Sequence, residues 1–221
     1  MTHGAVVLIA HGSEDSRHRS AIADIASAIQ QRTSVSIAVA YLQHNRPSPA
    51  EAAARLRSPA MLPLLLAAGA HWARDVSLAL RGIEPTPRLI EPPTPVQLVP
   101  AVIEAVSSLR EGGETVVLAV AGSTANDQSR HFQPLATAVA ASLGTTCSVA
   151  PSPEAVRGLA SPGAVIVPIL TSPGFLDDRI RAQASQAGAQ ATATVGSTSS
   201  FVQILSDLVR AATRPSSSEQ A

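Results

Sequence analysis

The sequence predicts an α/β protein made of two similar halves, each a parallel sheet flanked by helices. Short apolar runs alternate along the chain with longer amphipathic segments, as in a chain of repeating βα units. The apolar runs show no polar alternation, which is typical of central strands covered by helices on both faces. In addition, the order of elements in the first half recurs in the second.

Eight strands and eight helices follow from this pattern. The runs "AVVLIA", "MLPLLLA", "TVVLAVA" and "AVIVPIL" mark the most buried strands. Strands are predicted near residues 5–10, 35–42, 60–67, 87–91, 115–121, 146–150, 164–171 and 190–196. Helices are predicted near residues 16–31, 48–57, 72–82, 95–110, 127–143, 153–160, 175–187 and 198–212.

An internal repeat relates the two halves. "VVLIAHGSEDS" resembles "VVLAVAGSTAN" with a shift of 122 − 12 = 110 residues, and "MLPLLLAAGAHWARD" resembles "IVPILTSPGFLDDRI" with a shift of 168 − 63 = 105 residues. The second half is therefore five residues shorter between these motifs, where "AYLQHNRPSP" becomes "VAPSP". We predict halves at 1–112 and 113–214, joined near "REGGE" at 110–114, and a disordered polar tail at 215–221.

Composition excludes several classes of function. The 16 basic residues are all arginines spread along the chain, and the formal charge is zero, so no basic stripe indicates a nucleic-acid or anionic membrane partner. Cys147 is the only cysteine, which excludes an internal disulfide or a cysteine-ligated metal site. The start of the chain lacks the basic region of a signal peptide, and no apolar run approaches the roughly 20 residues of a membrane helix. We expect a soluble, cytoplasmic protein.

Two histidines follow predicted strands and form the main candidate site. His11 comes directly after the first strand, and His71 comes after the third. Side chains beyond the carboxyl ends of parallel strands converge in a ligand-binding crevice. Two imidazoles there suit a divalent ion such as Co²⁺, Fe²⁺ or Ni²⁺, or a general base. The repeat places Ala121 and Leu176 at the equivalent positions, so both imidazoles belong to the N-terminal half alone.

The neighbouring polar residues have simpler explanations. Gly12 and Ser13 allow a tight turn and a helix start that could bind a substrate carboxylate. The second half repeats this Gly-Ser pair without a histidine, which favours a structural role. His18 and His131 lie on amphipathic helices, where we expect them to be exposed to solvent.

Together these residues resemble a known family. "VVLIAHGSEDS", "AYLQHNRPSPAEAAARL" and "MLPLLLAAGAHWARDV" are similar, in order and spacing, to motifs of the sirohydrochlorin chelatases, the class II chelatases of siroheme and cobalamin synthesis. The resemblance implies two flavodoxin-like halves facing each other across a cleft, and a monomer that is an internal pseudo-dimer. It also implies a tetrapyrrole substrate, Co²⁺ or Fe²⁺ as the second substrate, and no organic cofactor. His11 and His71 would bind the metal and help to remove the pyrrole protons.

The chain departs from the family pattern at two positions. Gln43 stands where the family usually has an acidic residue, and an amide cannot take up a proton at neutral pH. His44 follows immediately and could act instead as base or ligand. Glu14 replaces a common arginine in "HGSED", where we favour a surface change without consequence.

Two other classes of function stay open at this point. The chain could be a chelatase relative that binds a metal or a tetrapyrrole without turnover, which Gln43 favours. It could also be a hydrolase with Ser13 as nucleophile and His11 as base. Side chains two residues apart rarely form such a pair, and no nucleophile-elbow or Walker motif is present.

Overall fold

Two parallel sheets flanked by helices form the fold, which confirms the predicted α/β class. The computed structural model describes residues 4–56, 58–66, 70–109, 115–120 and 125–214, without the side chains of 70–73 and 125–127. The predicted join at 110–114 and the predicted tail at 215–221 lie outside the described residues. Within these ranges, no helix is long and apolar enough to span a membrane.

The strands form one sheet in each half of the chain. In the first sheet, β1 (Ala5–Ala10) lies between β2 (Ser36–Tyr41) and β3 (Ala60–Pro63). In the second sheet the order is β5-β4-β6-β7, with bounds Cys147–Ala150, Val116–Ala119, Val165–Pro168 and Gln190–Ala191. All the strand pairs are parallel, so the carboxyl ends of the strands lie at one edge of each sheet.

Helices connect the strands and cover the sheets. In the part of the chain that the structure describes, the α-helices are α1 (Ser16–Thr33), α2 (Pro49–Ala53), α3 (Ala70–Leu80), α4 (Val99–Ser107), α5 (Ala125–Leu143), α6 (Pro153–Leu159), α7 (Phe175–Gln186) and α8 (Ser199–Thr213). Short 3-10 helices at Pro95–Leu98 and Val195–Ser197 precede α4 and α8. The sequence predicted each of the α-helices, within a few residues at most ends. The strand predicted at 190–196 is shorter, at Gln190–Ala191, and the 3-10 helix at Val195–Ser197 occupies its far end.

The pairing registers reproduce the internal repeat. Ile9 pairs with Pro63 in the first sheet, and Ala119 pairs with Pro168 in the second. The central strands are therefore related by a shift of 119 − 9 = 110 residues and the third strands by 168 − 63 = 105, as the sequence motifs predict.

The predicted strand at 87–91 is wrong. Only one isolated bridge forms there, between Leu89 and Met61. Pro85 and Pro87 precede this point, and prolines at 92 and 93 follow it. Because proline has no N–H to donate and fixes its φ angle, the segment cannot extend a regular ladder in either direction.

The hydrophobic core joins the two halves. Along β1, Val6 and Leu8 face a large cluster, whereas Val7 and Ile9 face a smaller one. The central strand of the second sheet alternates in the same way, and its inward face, including Leu118, belongs to the same large cluster. Helix α8 packs on α1, and α4 packs on α5 and α8, so the last helix of each half contacts the other half.

Candidate functional site

The carboxyl ends of β1 and β3 lie side by side, as the candidate histidine pair requires. His11 leaves β1 with an exposed side chain. The backbone N–H of Leu64, just after β3, donates to the Ile9 carbonyl at 2.8 Å, which keeps the two strand ends together. His71 lies in the first turn of α3, and its side chain lies outside the described part of the chain.

The turn after His11 is held against the loop that follows β2. The His11 carbonyl accepts from the Gln43 N–H at 2.9 Å, and the Asn45 side-chain oxygen accepts from the Ser13 N–H at 2.8 Å. Gly12 has φ +93°, and a Cβ at this position would lie 1.9 Å from the Gln43 carbonyl oxygen. Only glycine fits such a close approach with this backbone. Gly12 therefore has a structural role, as the repeated Gly-Ser pair indicated.

Gln43 and His44 both have exposed side chains near this turn. Gln43 is bound to His11 through its backbone N–H. His44 has a left-handed backbone with φ +59°, and its Nδ1 lies 3.8 Å from an oxygen of Glu14. Glu14, one of the two family departures, thus lies close to His44, the residue that follows the other departure at Gln43.

A cavity of about 310 Å³ opens beside His11 and contains side chains from both halves. The first half contributes His11, Gly12, Ser13 and His18 to its wall. The second half contributes residues 170–177, the segment that runs from the end of β6 into α7. His11 therefore lies beside a partly open space whose wall comes from both halves.

His18 lies in this cavity wall and is buried, so the prediction of an exposed side chain is wrong. It is 8% exposed, and its Nδ1 lies 2.6 Å from the Ser172 hydroxyl of the second half. Burial, and to a lesser extent the charge of nearby His11, lowers the pKa of His18. A neutral imidazole is therefore favoured, and its Nε2 has no hydrogen-bond partner within the described chain.

An ion-pair network links the two chain segments that contribute to the cavity wall. Arg17 donates to both oxygens of Asp178, at 3.0 and 2.6 Å, and to both oxygens of Asp15. Asp15 also caps α1 by accepting from the Arg17 N–H at 2.9 Å. The Arg17 guanidinium beside them holds the pKa of both carboxyls below the ordinary range. Arg17 thus links the start of α1 to the start of α7.

A preformed cluster of metal ligands is absent from the described side chains. Among them no group of three or more histidine, cysteine, aspartate or glutamate side chains could hold a metal ion. Of the two histidines predicted to bind the metal, His11 has a described side chain and His71 does not. An exposed imidazole of this kind can bind an ion that exchanges readily with solvent.

Comparisons with known proteins agree with this fold. Residues 5–105 match the family model CbiX, and no curated protein sequence matches the chain. Sirohydrochlorin chelatase SirB from Bacillus subtilis subspecies spizizenii, in complex with cobalt, superimposes with a TM-score of 0.80 at 17% identity, covering 96% of each chain. SirB from Bacillus subtilis with Fe³⁺ gives 0.78 at 19% identity, covering 99% of this chain and 98% of that one.

A third solved structure is CbiX, described as the terminal enzyme of siroheme biosynthesis in denitrifying bacteria. It gives a TM-score of 0.67 at 19% identity and covers 95% of this chain and 100% of that one. These likenesses establish the fold along the whole chain. The family match covers residues 5–105, a little under half of the chain, and identifies a CbiX-type domain there, in agreement with the class II chelatase motifs that these residues resemble.

Sequence reasoning expected the second half to face the cleft but did not identify the residues of that half that line the cavity. The buried residues of α1 are His18, Ile22, Ile25, Ala26 and Ile29. These positions form one helical stripe, which could have identified His18 as buried. Its partner Ser172 carries no such signal, because a contact across 154 residues depends on how the halves pack.

Proposed function

We propose that this protein is a sirohydrochlorin chelatase, which inserts a divalent metal ion into the tetrapyrrole. The reaction exchanges two inner N–H protons of the macrocycle for one M²⁺ ion, so charge and atoms balance with two protons released. The protein must hold the ion on exchangeable ligands, admit the macrocycle and accept protons.

The position of His11 carries this proposal. It follows the central strand of a CbiX-type domain and faces a cavity that is open to solvent. A neutral imidazole can bind a borderline divalent ion through one ring nitrogen, and an imidazole titrates near neutral pH, so it can also take up a proton. Because His11 is exposed, both the metal ion and the tetrapyrrole could reach its imidazole.

His71 is proposed as the second imidazole of the site. Its backbone lies in the first turn of α3, which follows β3 beside β1. The family resemblance assigns metal binding and proton removal to histidines at these two strand ends. The second half offers alanine and leucine at the equivalent positions, so the chemistry is proposed for the first half.

Co²⁺ and Fe²⁺ are the proposed metal substrates, and Ni²⁺ would suit the same ligands. Two of the similar solved structures contain cobalt or Fe³⁺. Imidazole ligands do not distinguish these ions strongly, so the supply of metal in the cell would decide between the siroheme and cobalamin pathways. No organic cofactor is needed for the exchange.

An anaerobic insertion assay tests the proposal. Purified protein is mixed with sirohydrochlorin and Co²⁺, Fe²⁺ or Ni²⁺ in turn, and the absorbance change on insertion is compared with that in the protein-free mixture. We expect at least one ion to be inserted faster with protein present. If the protein binds the tetrapyrrole or the metal but never accelerates insertion, it is a binding protein derived from a chelatase.

A further inference from the structure

We propose that Phe175 of the second half is a substrate-binding residue whose ring packs on the flat face of the tetrapyrrole. This inference rests on the proposed function and extends it to the second half, which lacks the candidate histidines. It assigns that half a direct contact with the macrocycle in addition to enclosing the cavity.

Exposure of the Phe175 ring is the first observation. Among the described residues, large hydrophobic side chains are mostly buried, and Phe175 is 65% exposed, compared with 49% for Val96 and 47% for Leu78. A phenyl ring left in water contributes little to folding, because the hydrophobic effect depends on the apolar area removed from water. A ligand that covers the ring would recover this free energy.

The second observation is that the backbone around Phe175 is fixed on both sides. Ser172 is bound to the buried His18, and Asp178 is bound by Arg17. Between them, a Cβ on Gly174 would lie 3.7 Å from an Asp15 oxygen, so this turn packs closely on the first half. These contacts with α1 and its cap hold the start of α7 in place, so the ring is exposed from a preorganised position.

The third observation is the composition of the shared cavity. Phe175 lines it together with His11, and Leu170, Pro173 and Leu176 add further apolar surface from the same segment. A tetrapyrrole has a flat conjugated face and carboxylates at its rim. Its face can pack on an aromatic ring and on aliphatic side chains while the carboxylates stay in water. A macrocycle that enters this cavity could therefore contact both the Phe175 ring and the His11 imidazole.

The test measures tetrapyrrole binding and metal binding separately. Phe175→Ala and Phe175→Tyr are compared with wild type by equilibrium titration with metal-free sirohydrochlorin, and by titration with Co²⁺ alone. We expect Phe175→Ala to weaken sirohydrochlorin binding roughly five- to tenfold, the size of a lost aromatic packing contact. Phe175→Tyr should stay within about twofold of wild type, because it keeps the ring. Co²⁺ binding should be unchanged in both.

Leu159→Ala is the matched control, because this leucine is also exposed, at 42%, and lies in the second half outside the cavity wall. It should bind sirohydrochlorin as wild type does. Equal binding by Phe175→Ala and wild type would overturn the assignment while leaving the proposed function intact, provided that wild type still inserts metal. A wild-type protein that neither binds nor metallates sirohydrochlorin would overturn both.

Discussion

At Gly12 two loops approach each other so closely that no residue with a Cβ atom fits. Its φ of +93° and the 1.9 Å approach to the Gln43 carbonyl oxygen are separate obstacles to substitution. We predict that Gly12→Ala lowers the free energy of unfolding by more than about 2 kcal/mol, since backbone strain and a steric clash both contribute. Urea unfolding measures the loss.

Gly82→Ala separates the two contributions. Gly82 has φ +79°, but a Cβ there would meet nothing within 4 Å. This variant should therefore lose only the free energy of backbone strain, about 1 kcal/mol. If Gly12→Ala were no less stable than Gly82→Ala, the backbone at Gln43 would be able to move away from the new Cβ at little cost in free energy.

The Gln43–His44 pair raises the question of which residue replaces the acidic group usual in the family. If proton removal or metal capture is limited by the missing carboxylate, Gln43→Glu should raise the insertion rate, because a carboxylate attracts the ion and accepts a proton. The gain should fade as pH falls toward about 4.3, the ordinary pKa of glutamate. Initial rates of insertion measure it.

His44→Ala is the companion variant. If His44 has taken over the role, this substitution should reduce the rate and Gln43→Glu should change little. The exposed side chains of both residues make either outcome compatible with an intact fold. If neither variant changes the rate, the segment 41–46 lies outside the working site.

At the scale of single residues, the sequence predicted His11 at a strand end and the structural role of Gly12. These two features were predictable because each depends on residues that are close together in the sequence. It failed for His18 because a histidine on an amphipathic helix was expected on the exposed face, although its position belongs to the buried stripe of α1. The partner, Ser172, comes from the second half.

Glu104 connects two elements that are far apart in sequence. This residue of α4 accepts hydrogen bonds from the backbone N–H groups of Ser199 and Ser200, each at 2.8 Å, at the start of α8. Burial alone would raise the pKa of Glu104, but these hydrogen bonds outweigh it and lower the pKa. A carboxylate at a helix N-terminus also interacts favourably with the helix dipole.

We predict that Glu104→Gln destabilises the protein at neutral pH by about 1–3 kcal/mol, the range for hydrogen bonds to a charged group. Because the pKa of Glu104 is lower in the folded state, this stabilisation is complete above its ordinary value of 4.5 and is lost as pH falls through the folded pKa. The difference between wild type and variant in urea unfolding should therefore shrink on acidification.

Glu51→Gln is the control for this element. Glu51 caps α2 by accepting from the Ser48 N–H at 2.7 Å, a contact within one half. We expect a smaller loss of free energy of unfolding, because Glu51 is exposed to solvent and its cap is local. If the two variants lost the same free energy at every pH, Glu104 would contribute no more than an ordinary cap.

The elements themselves were largely predictable from the sequence. Strands β1, β4 and β6 follow apolar runs that need burial on both faces, and helix starts carry recognisable caps such as Asp15, Ser48 and Ser152. The strand predicted at 87–91 does not form, because prolines on both sides of it cannot continue the ladder of hydrogen bonds. Local pattern predicts an element, but tertiary pairing decides whether a short apolar run joins a sheet.

On the scale of the whole molecule, the two halves share one large core, and the last helix of each half packs against the other half. The main cluster contains side chains from both halves, and Arg32 of α1 donates to Ser199 and Gln203 of α8. We therefore predict a single cooperative unfolding transition. Fluorescence of Trp72, the only tryptophan, reports on the first half, and far-UV circular dichroism reports on both.

Coincident urea transitions by these two probes are the expected result. Two separated transitions would mean that each half unfolds on its own despite the shared core. The repeat in the sequence predicted two similar halves, but it did not predict that the last helix of each half packs against the other half. Nothing in a local pattern indicates that α4 packs beside α8, since that contact depends on how the two sheets are placed.

The central claim is that metal insertion takes place at His11, beside the cavity that both halves enclose. The most direct test is the initial rate of Co²⁺ insertion into sirohydrochlorin by His11→Ala and His71→Ala under anaerobic conditions, with His131→Ala, on α5, as the control. Each site variant should lose at least about 10²-fold in rate, as for a positioned acid–base group, while the control stays near wild type. Near-normal rates in both site variants, with the fold intact by circular dichroism, would contradict the account.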